Sequence, residues 1–262
     1  MNPREILIYL SLNFDGDYKR LRQAIEDKEY VDEDIEIPNL PCRTLTIFDE
    51  EYPEVFKEFY QAPLVLYYYG DISLIKEVDK NLAIVGTRVP TEYGSSSTKE
   101  IVEEVSDKVN IVSGLARGID AIAQEEAMRN GGKVIAVLGS GIDFCYPSEN
   151  KKLYEEIKKK GLIISEYPNH IEPSPDKFPF RNRLIAMMSN TVLITEAYAR
   201  SGTSITANYA LAFNKNICCI PYPRKAQSLC NRLIASGANL VQNGNDVLEI
   251  MNIESNESIF DL

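Results

Sequence analysis

The chain has 262 residues, 44% of them hydrophobic and 26% charged, enough for one large α/β unit with a sizeable core and a smaller appendage. No apolar run approaches the roughly 18 residues of a membrane span and the N-terminus lacks a basic-plus-apolar signal, so the sequence predicts a cytoplasmic protein without membrane contact. Five scattered cysteines without a C-x-x-C pair, and the lone histidine His170, argue against a metal site and a Ser-His-Asp triad, while a net charge of -11 argues against non-specific attraction to nucleic acid.

Along the chain, residues 1–37 are acidic with sparse apolar spacing and predict one or two short helices. Two β-rich runs follow, Thr44–Phe48 and Leu64–Tyr69, the second closed by the turn Tyr69-Gly70-Asp71. After residue 80 short apolar runs alternate with amphipathic stretches. The runs Leu82–Val85, Asn110–Ser113, Val134–Leu138, Leu162–Ser165, Val192–Thr195, Ile217–Ile220 and Asn239–Val241 read as strands buried on both faces. Ser95–Lys108, Ile119–Asn130, Glu149–Lys160 and Ser204–Asn214 read as helices between them. Such alternation predicts a doubly wound, mostly parallel sheet with a small N-terminal helical or extended segment. The division expected is a reduced helical region at 1–43, the main α/β domain at 44–250 and a tail at 251–262.

Right-handed crossovers place the strand C-termini on one edge, where such folds bind ligands. Small residues crowd that edge: Gly86-Thr87-Arg88 after the first strand, Ser113 to Asp120 after the second, Gly139-Ser140-Gly141 after the third, and Arg200 to Ser204 after the fifth. The fourth strand is followed by Glu166 and a Pro-rich loop running into Lys177 and the stretch Phe178-Pro179-Phe180-Arg181-Asn182-Arg183. Small residues let a ligand approach the backbone, and helix-opening N–H groups favour phosphate. Arg88, Arg117, Arg181 and Arg183 are the expected phosphate clamps, with Phe178 and Phe180 as base-stacking partners. Between residues 177 and 245 eight bases accompany one acid, Glu196, so a basic segment lies inside an acidic protein. That segment reads equally as a solvated face. Asp120 and Glu196 lie at strand ends, where an acid/base pair would sit, but a helix cap and a backbone or arginine anchor are the favoured readings. Gly139-Ser140-Gly141 begins a dinucleotide fingerprint, yet Phe144 stands where the third glycine belongs, and there is no P-loop. No cofactor is expected.

The stretches AIVGTRVPTEYG, IVSGLARGIDAIAQEEAM, GKVIAVLGSGIDFCYPSEN, GLIISEYP, FPFRNRLIAMMS, EAYARSGTSITANYA and NRLIASGA occur in this order. Together they resemble the DprA/Smf family, and TLTIFDEEYPEVFKEFYQAPLVLYYYGD resembles the segment that precedes them there. The resemblance runs from about residue 44 to 241. It implies an extended Rossmann-like fold, binding of single-stranded DNA, a homodimer, help in loading a RecA-type recombinase during natural transformation, and no catalytic turnover. By motif it assigns DNA contact to Gly86, Thr87, Arg88 and the 178–183 stretch. Ser113, Gly114, Arg117, Gly118, Ser201, Gly202 and Thr203 rank second. Gln124 stands where the family usually has His, and Pro221-Tyr222 where it usually has Pro-Gly. The alternative is a nucleotide-binding or phosphoribohydrolase-like protein of similar fold. Against it, Thr206 or Ala207 takes the place of the glutamate in that family's PGGxGT-x-x-E loop.

Overall fold

The structure is a computed structural model that describes residues 2–29, 37–169, 171–199, 201–224 and 226–254. Two helices come first, α1 (Pro3–Asn13) and α2 (Tyr18–Glu26). Each starts on a side-chain cap: Asn2 accepts from the Arg4 amide at 3.0 Å and Asp17 from the Arg20 amide at 2.8 Å. The two β-rich runs become β1 (Arg43–Thr46) and β2 (Val65–Gly70), with the short helix α3 (Glu54–Lys57) between them.

From there the chain alternates: β3 (Asn81–Val85), α4 (Glu92–Val105), β4 (Asn110–Ser113), α5 (Ile119–Arg129), β5 (Lys133–Val137), α6 (Lys151–Lys160), β6 (Leu162–Ser165), α7 (Lys177–Met187), β7 (Thr191–Ile194), α8 (Thr203–Ala212), β8 (Asn216–Cys219), α9 (Leu229–Ala235), β9 (Asn239–Leu240) and α10 (Gly244–Ile250). One sheet results, in the order β1-β2-β6-β5-β4-β3-β7-β8-β9. The seven strands from β6 to β9 in that order are mutually parallel, and β2 and β1 extend the β6 side antiparallel. The expected doubly wound, mostly parallel sheet is present.

The apolar runs lack alternation because both faces are covered. In β3, Leu82 and Ile84 join a core with α1, α2, α4, α5, α6 and α10, while Ala83 and Val85 join a second core with α3, α7, α8 and α9. All four are buried. The N-terminal helices belong to the first core, where Leu7, Ile8, Leu10 and Leu21 gather with Val65 and Tyr67 of β2. At about 25 cal/mol per Å² of buried apolar area, each such side chain contributes roughly 1.5–3 kcal/mol.

The helices differ from the sequence reading both in bounds and in number. Helix α4 starts three residues early because Thr91 caps it, its Oγ1 accepting from the Gly94 amide at 3.1 Å. The stretch read as a loop at 178–183 is instead the first turns of α7. Pro179 disguised it, yet the first-turn amides of a helix have no intrahelical acceptor, so proline costs little there. Helices α9 and α10 were not anticipated; each has only seven residues, too few for a periodic signal. Among the described residues no helix is long and apolar enough to cross a membrane.

Candidate functional site

Strands β3 and β7 are neighbours whose connections leave in opposite directions, so a crevice opens beyond their carboxyl ends. The loops that form it are tied together. The Thr87 amide donates to the Glu196 carbonyl at 2.7 Å, the Ile119 amide to the Thr87 carbonyl at 3.1 Å, and Thr203 Oγ1 to the Gly86 carbonyl at 3.1 Å. Gly86 has no room for a side chain: a Cβ there would lie 2.5 Å from Ile119 Cγ1 and 2.7 Å from the Glu196 carbonyl oxygen.

The crevice measures about 580 Å³. Gly86, Thr87 and Arg88 line it from β3, Phe178, Arg181 and Asn182 from α7, and Ser201, Gly202 and Thr203 from the start of α8. Arg88 is exposed, and among the described residues no carboxylate lies within ion-pair distance of it. Its guanidinium carbon lies 5.7 Å from the Phe178 ring centroid. Phe178 stacks on Tyr146, centroids 5.6 Å apart at 30°, and Gly139 makes room beneath it, since a Cβ would come within 2.7 Å of the ring. Among the described residues no side chain caps α8, and at Gly202 an added Cβ would meet nothing within 4 Å. An uncapped helix N-terminus facing an open space favours an anion there. Asn182 Nδ2 donates to the Gly202 carbonyl at 3.4 Å and links the two helices.

Buried charges set the floor. Asp120 is the second residue of α5, not its cap; Gly118 takes that place at φ +76°. The Asp120 carboxylate accepts from the Gly114 amide at 3.1 Å. Burial pushes its carboxyl up, opposed by the Arg181 charge and by neighbouring amides. Arg181 donates to the Gly114 carbonyl at 2.8 Å and also to the Val137 carbonyl. Burial pulls its guanidinium down to about 10, with Asp120 opposing, so it stays charged at neutral pH. A side chain at Gly114 would displace the Arg181 guanidinium, because a Cβ would sit 2.5 Å from Arg181 Nη2. Glu196 Oε2 accepts from both the amide and the hydroxyl of Thr91 at 2.9 Å. Both carboxylates therefore hold loops in place.

Several expected contacts are placed elsewhere. Arg183 does not reach the crevice. It is fully buried and pairs with both oxygens of Glu166 at 2.6 Å, while its Nε donates to the Gln61 carbonyl at 3.1 Å. Phe180 packs 3.7 Å from that guanidinium and 5.6 Å from Tyr18, so it too is turned away. The helical period of α7 explains both, since residues two apart point to different faces. Ser113 is buried and donates to the Ile84 carbonyl at 2.6 Å, joining β4 to β3. Lys177 donates to Ser174 Oγ at 2.7 Å and lies over Tyr167, outside the crevice lining. Arg117 is exposed and paired with Glu149 beside a small adjoining cavity of about 50 Å³. Tyr146 was missed, although an aromatic residue soon after Gly139-Ser140-Gly141 was the available signal. His170, Arg200 and Lys225 lie outside the described residues.

Comparison with known proteins agrees with this architecture. The family model described as DNA recombination-mediator protein A matches residues 43–252. Protein Smf of Synechocystis is 42% identical over 209 residues, 78% of this chain and 52% of that protein. The DNA processing protein DprA of Streptococcus pneumoniae is 39% identical over 207 residues, 78% of this chain and 73% of that protein. The chain thus spans about half the length of the first of these relatives. The X-ray structure of DprA from S. pneumoniae superposes with a TM-score of 0.77 at 34% identity, covering 95% of this chain and 93% of that one. DNA processing protein A from Helicobacter pylori, whose structure addresses its single-stranded DNA binding mode, gives 0.73 at 32% identity, covering 81% and 96%. The chain belongs to the DNA recombination-mediator protein A family, the DprA/Smf DNA-processing proteins.

Proposed function

We propose that this protein binds single-stranded DNA in the crevice beyond β3 and β7 and passes it to a RecA-type recombinase in recombination, including natural transformation. The observation that carries the reading is the exposed Arg88, without a carboxylate partner among the described residues, beside the Phe178–Tyr146 stack and the glycine-led start of α8. Arginine beside stacked rings suits a flexible strand, whose phosphates and unstacked bases are both within reach. The relative from H. pylori supports this ligand. Of the proposed contacts, Gly86, Thr87, Arg88, Phe178, Asn182, Ser201, Gly202 and Thr203 line the crevice, and Arg181 forms its floor. Its reach to phosphate is shortened by its two carbonyl partners. A duplex keeps its bases stacked and unavailable to the Phe178 and Tyr146 rings, so single strands should win over duplex. The test is a titration of labelled oligo-dT and of a duplex of matching length at two salt concentrations. Tighter binding of oligo-dT is expected; equal affinity for the duplex would refute the reading.

A further inference from the structure

The carboxyl edge carries a second aromatic group that the crevice does not use. Tyr93 lies in the first turn of α4, Tyr198 follows β7 and Tyr222 follows β8. Tyr93 and Tyr198 are 48% and 49% exposed. Their hydroxyl ends are nevertheless tied. The Tyr93 hydroxyl donates to the Pro221 carbonyl at 3.2 Å, that of Tyr198 to Glu196 Oε1 at 3.5 Å, and that of Tyr222 to the Thr195 carbonyl at 3.0 Å. Tyr222 meets the Tyr93 ring edge-on, centroids 5.1 Å apart at 88°. A backbone bridge to Ser228 also fixes Tyr198. Tyr93 and Tyr198 are thus held by their polar ends and leave apolar surface in solvent, while the half-buried Tyr222 packs on the core and supports Tyr93. A pre-oriented ring loses little conformational entropy on stacking.

The strand order places this group relative to the crevice. Phe178 packs on Gly139 just past β5, Arg88 follows β3, and Pro221, the partner of Tyr93, lies just past β8. From β5 to β8 there are four interstrand steps, through β4, β3 and β7. At about 4.8 Å per step the separation is roughly 19 Å. A stacked strand rising about 3.4 Å per nucleotide covers that in about six nucleotides. Among the described residues the exposed charges beside the tyrosines are Glu92 and Arg224, and the Glu196 carboxylate is buried against Thr91. The exposed ring faces make base stacking an interaction open to this surface.

We propose that Tyr93, Tyr198 and Tyr222 form a second base-stacking platform, which continues the single-strand track of the crevice across the ends of β7 and β8. This rests on the reading that the crevice holds single-stranded DNA. A strand too short to span the edge engages one platform, and a longer one engages both.

The test compares oligo-dT of roughly three and roughly eight nucleotides by fluorescence anisotropy. Tyrosine quenching gives a second readout, because the chain has no tryptophan. The double variant Tyr93→Leu/Tyr198→Ser should bind the longer strand about 5- to 150-fold more weakly, the range for losing one stacked base, and the shorter strand as the parent does. Tyr93→Phe keeps the ring but loses its tie to Pro221, so it should bind the longer strand between the parent and the double variant. Tyr198→Ser alone provides the same readout if the double variant melts early. Arg88→Ala should weaken both lengths. If folded tyrosine variants bind the longer strand like the parent while Arg88→Ala is weakened, the second platform is overturned and the crevice reading stands. If Arg88→Ala leaves both lengths unaffected, the crevice reading fails and the platform with it.

Discussion

Arg88 stands out because its position asks for an external partner. It leaves the end of β3 exposed, over the face of Phe178, while Arg181 and Arg183 have internal acceptors. In a protein of net charge -11, long-range attraction for DNA is weak and short contacts must carry binding. Each phosphate neutralised on a single strand contributes about -0.7 to the slope of log affinity against log salt. Arg88→Ala should weaken oligo-dT binding and flatten that slope by about 0.7, with little sequence dependence. Stability should hold, since an exposed side chain supports little of the core. A folded Arg88→Ala protein with an unchanged slope would remove Arg88 from the interface. At this scale the sequence made the arginines visible and left their directions undetermined. Four arginines looked alike in the sequence; Arg183 is drawn inward by Glu166, Arg181 lies buried with Asp120, Arg117 pairs with Glu149, and Arg88 is left exposed.

Among the elements, α7 has the most influence on the crevice, for Phe178, Arg181 and Asn182 all project from it. Its seat is the Arg183–Glu166 pair, which joins it to the residue just past β6 and, through the Gln61 carbonyl, to the segment before β2. Removing one partner of a buried bidentate pair leaves the other charge unpaired and costs about 3–5 kcal/mol. Arg183→Met should lose stability of that order in urea unfolding, and adding Glu166→Leu should recover part of it because the stranded charge is gone. A double variant no more stable than Arg183→Met would mean that the pair does not act as a unit. The sequence hid this helix because Pro173, Pro175 and Pro179 read as loop. Its pattern is also poor, since charged Arg183 and Arg181 occupy buried positions where an amphipathic helix would present apolar residues.

Viewed as a whole, the molecule is a sheet covered on both faces, with the N-terminal helices α1 and α2 in the first core and α7, α8 and α9 of the basic segment in the second. The family resemblance leads us to expect a homodimer. Part of the late apolar surface is spoken for: Ala207 and Ala210 of α8 are buried in the second core, whereas Leu211 of that helix is 60% exposed. Multi-angle light scattering at micromolar concentration should give twice the 29.6 kDa chain mass. A monomer mass would refute the dimer.

The sequence by itself determined the parallel sheet and the edge on which the ligand loops gather. Strands such as Leu82–Val85 are apolar at every position, and only burial on both faces stabilises that pattern. Small residues at successive strand ends then mark the open edge. The tertiary structure alone decided which of the candidates meet. Arg88, Phe178, Tyr146 and the start of α8 come from segments up to 115 residues apart, counted from Arg88 to Thr203, and share one crevice only because β3 and β7 are adjacent. Whether an arginine in such a segment faces solvent or a buried carboxylate depends on partners distant in the chain, and no local pattern encodes that.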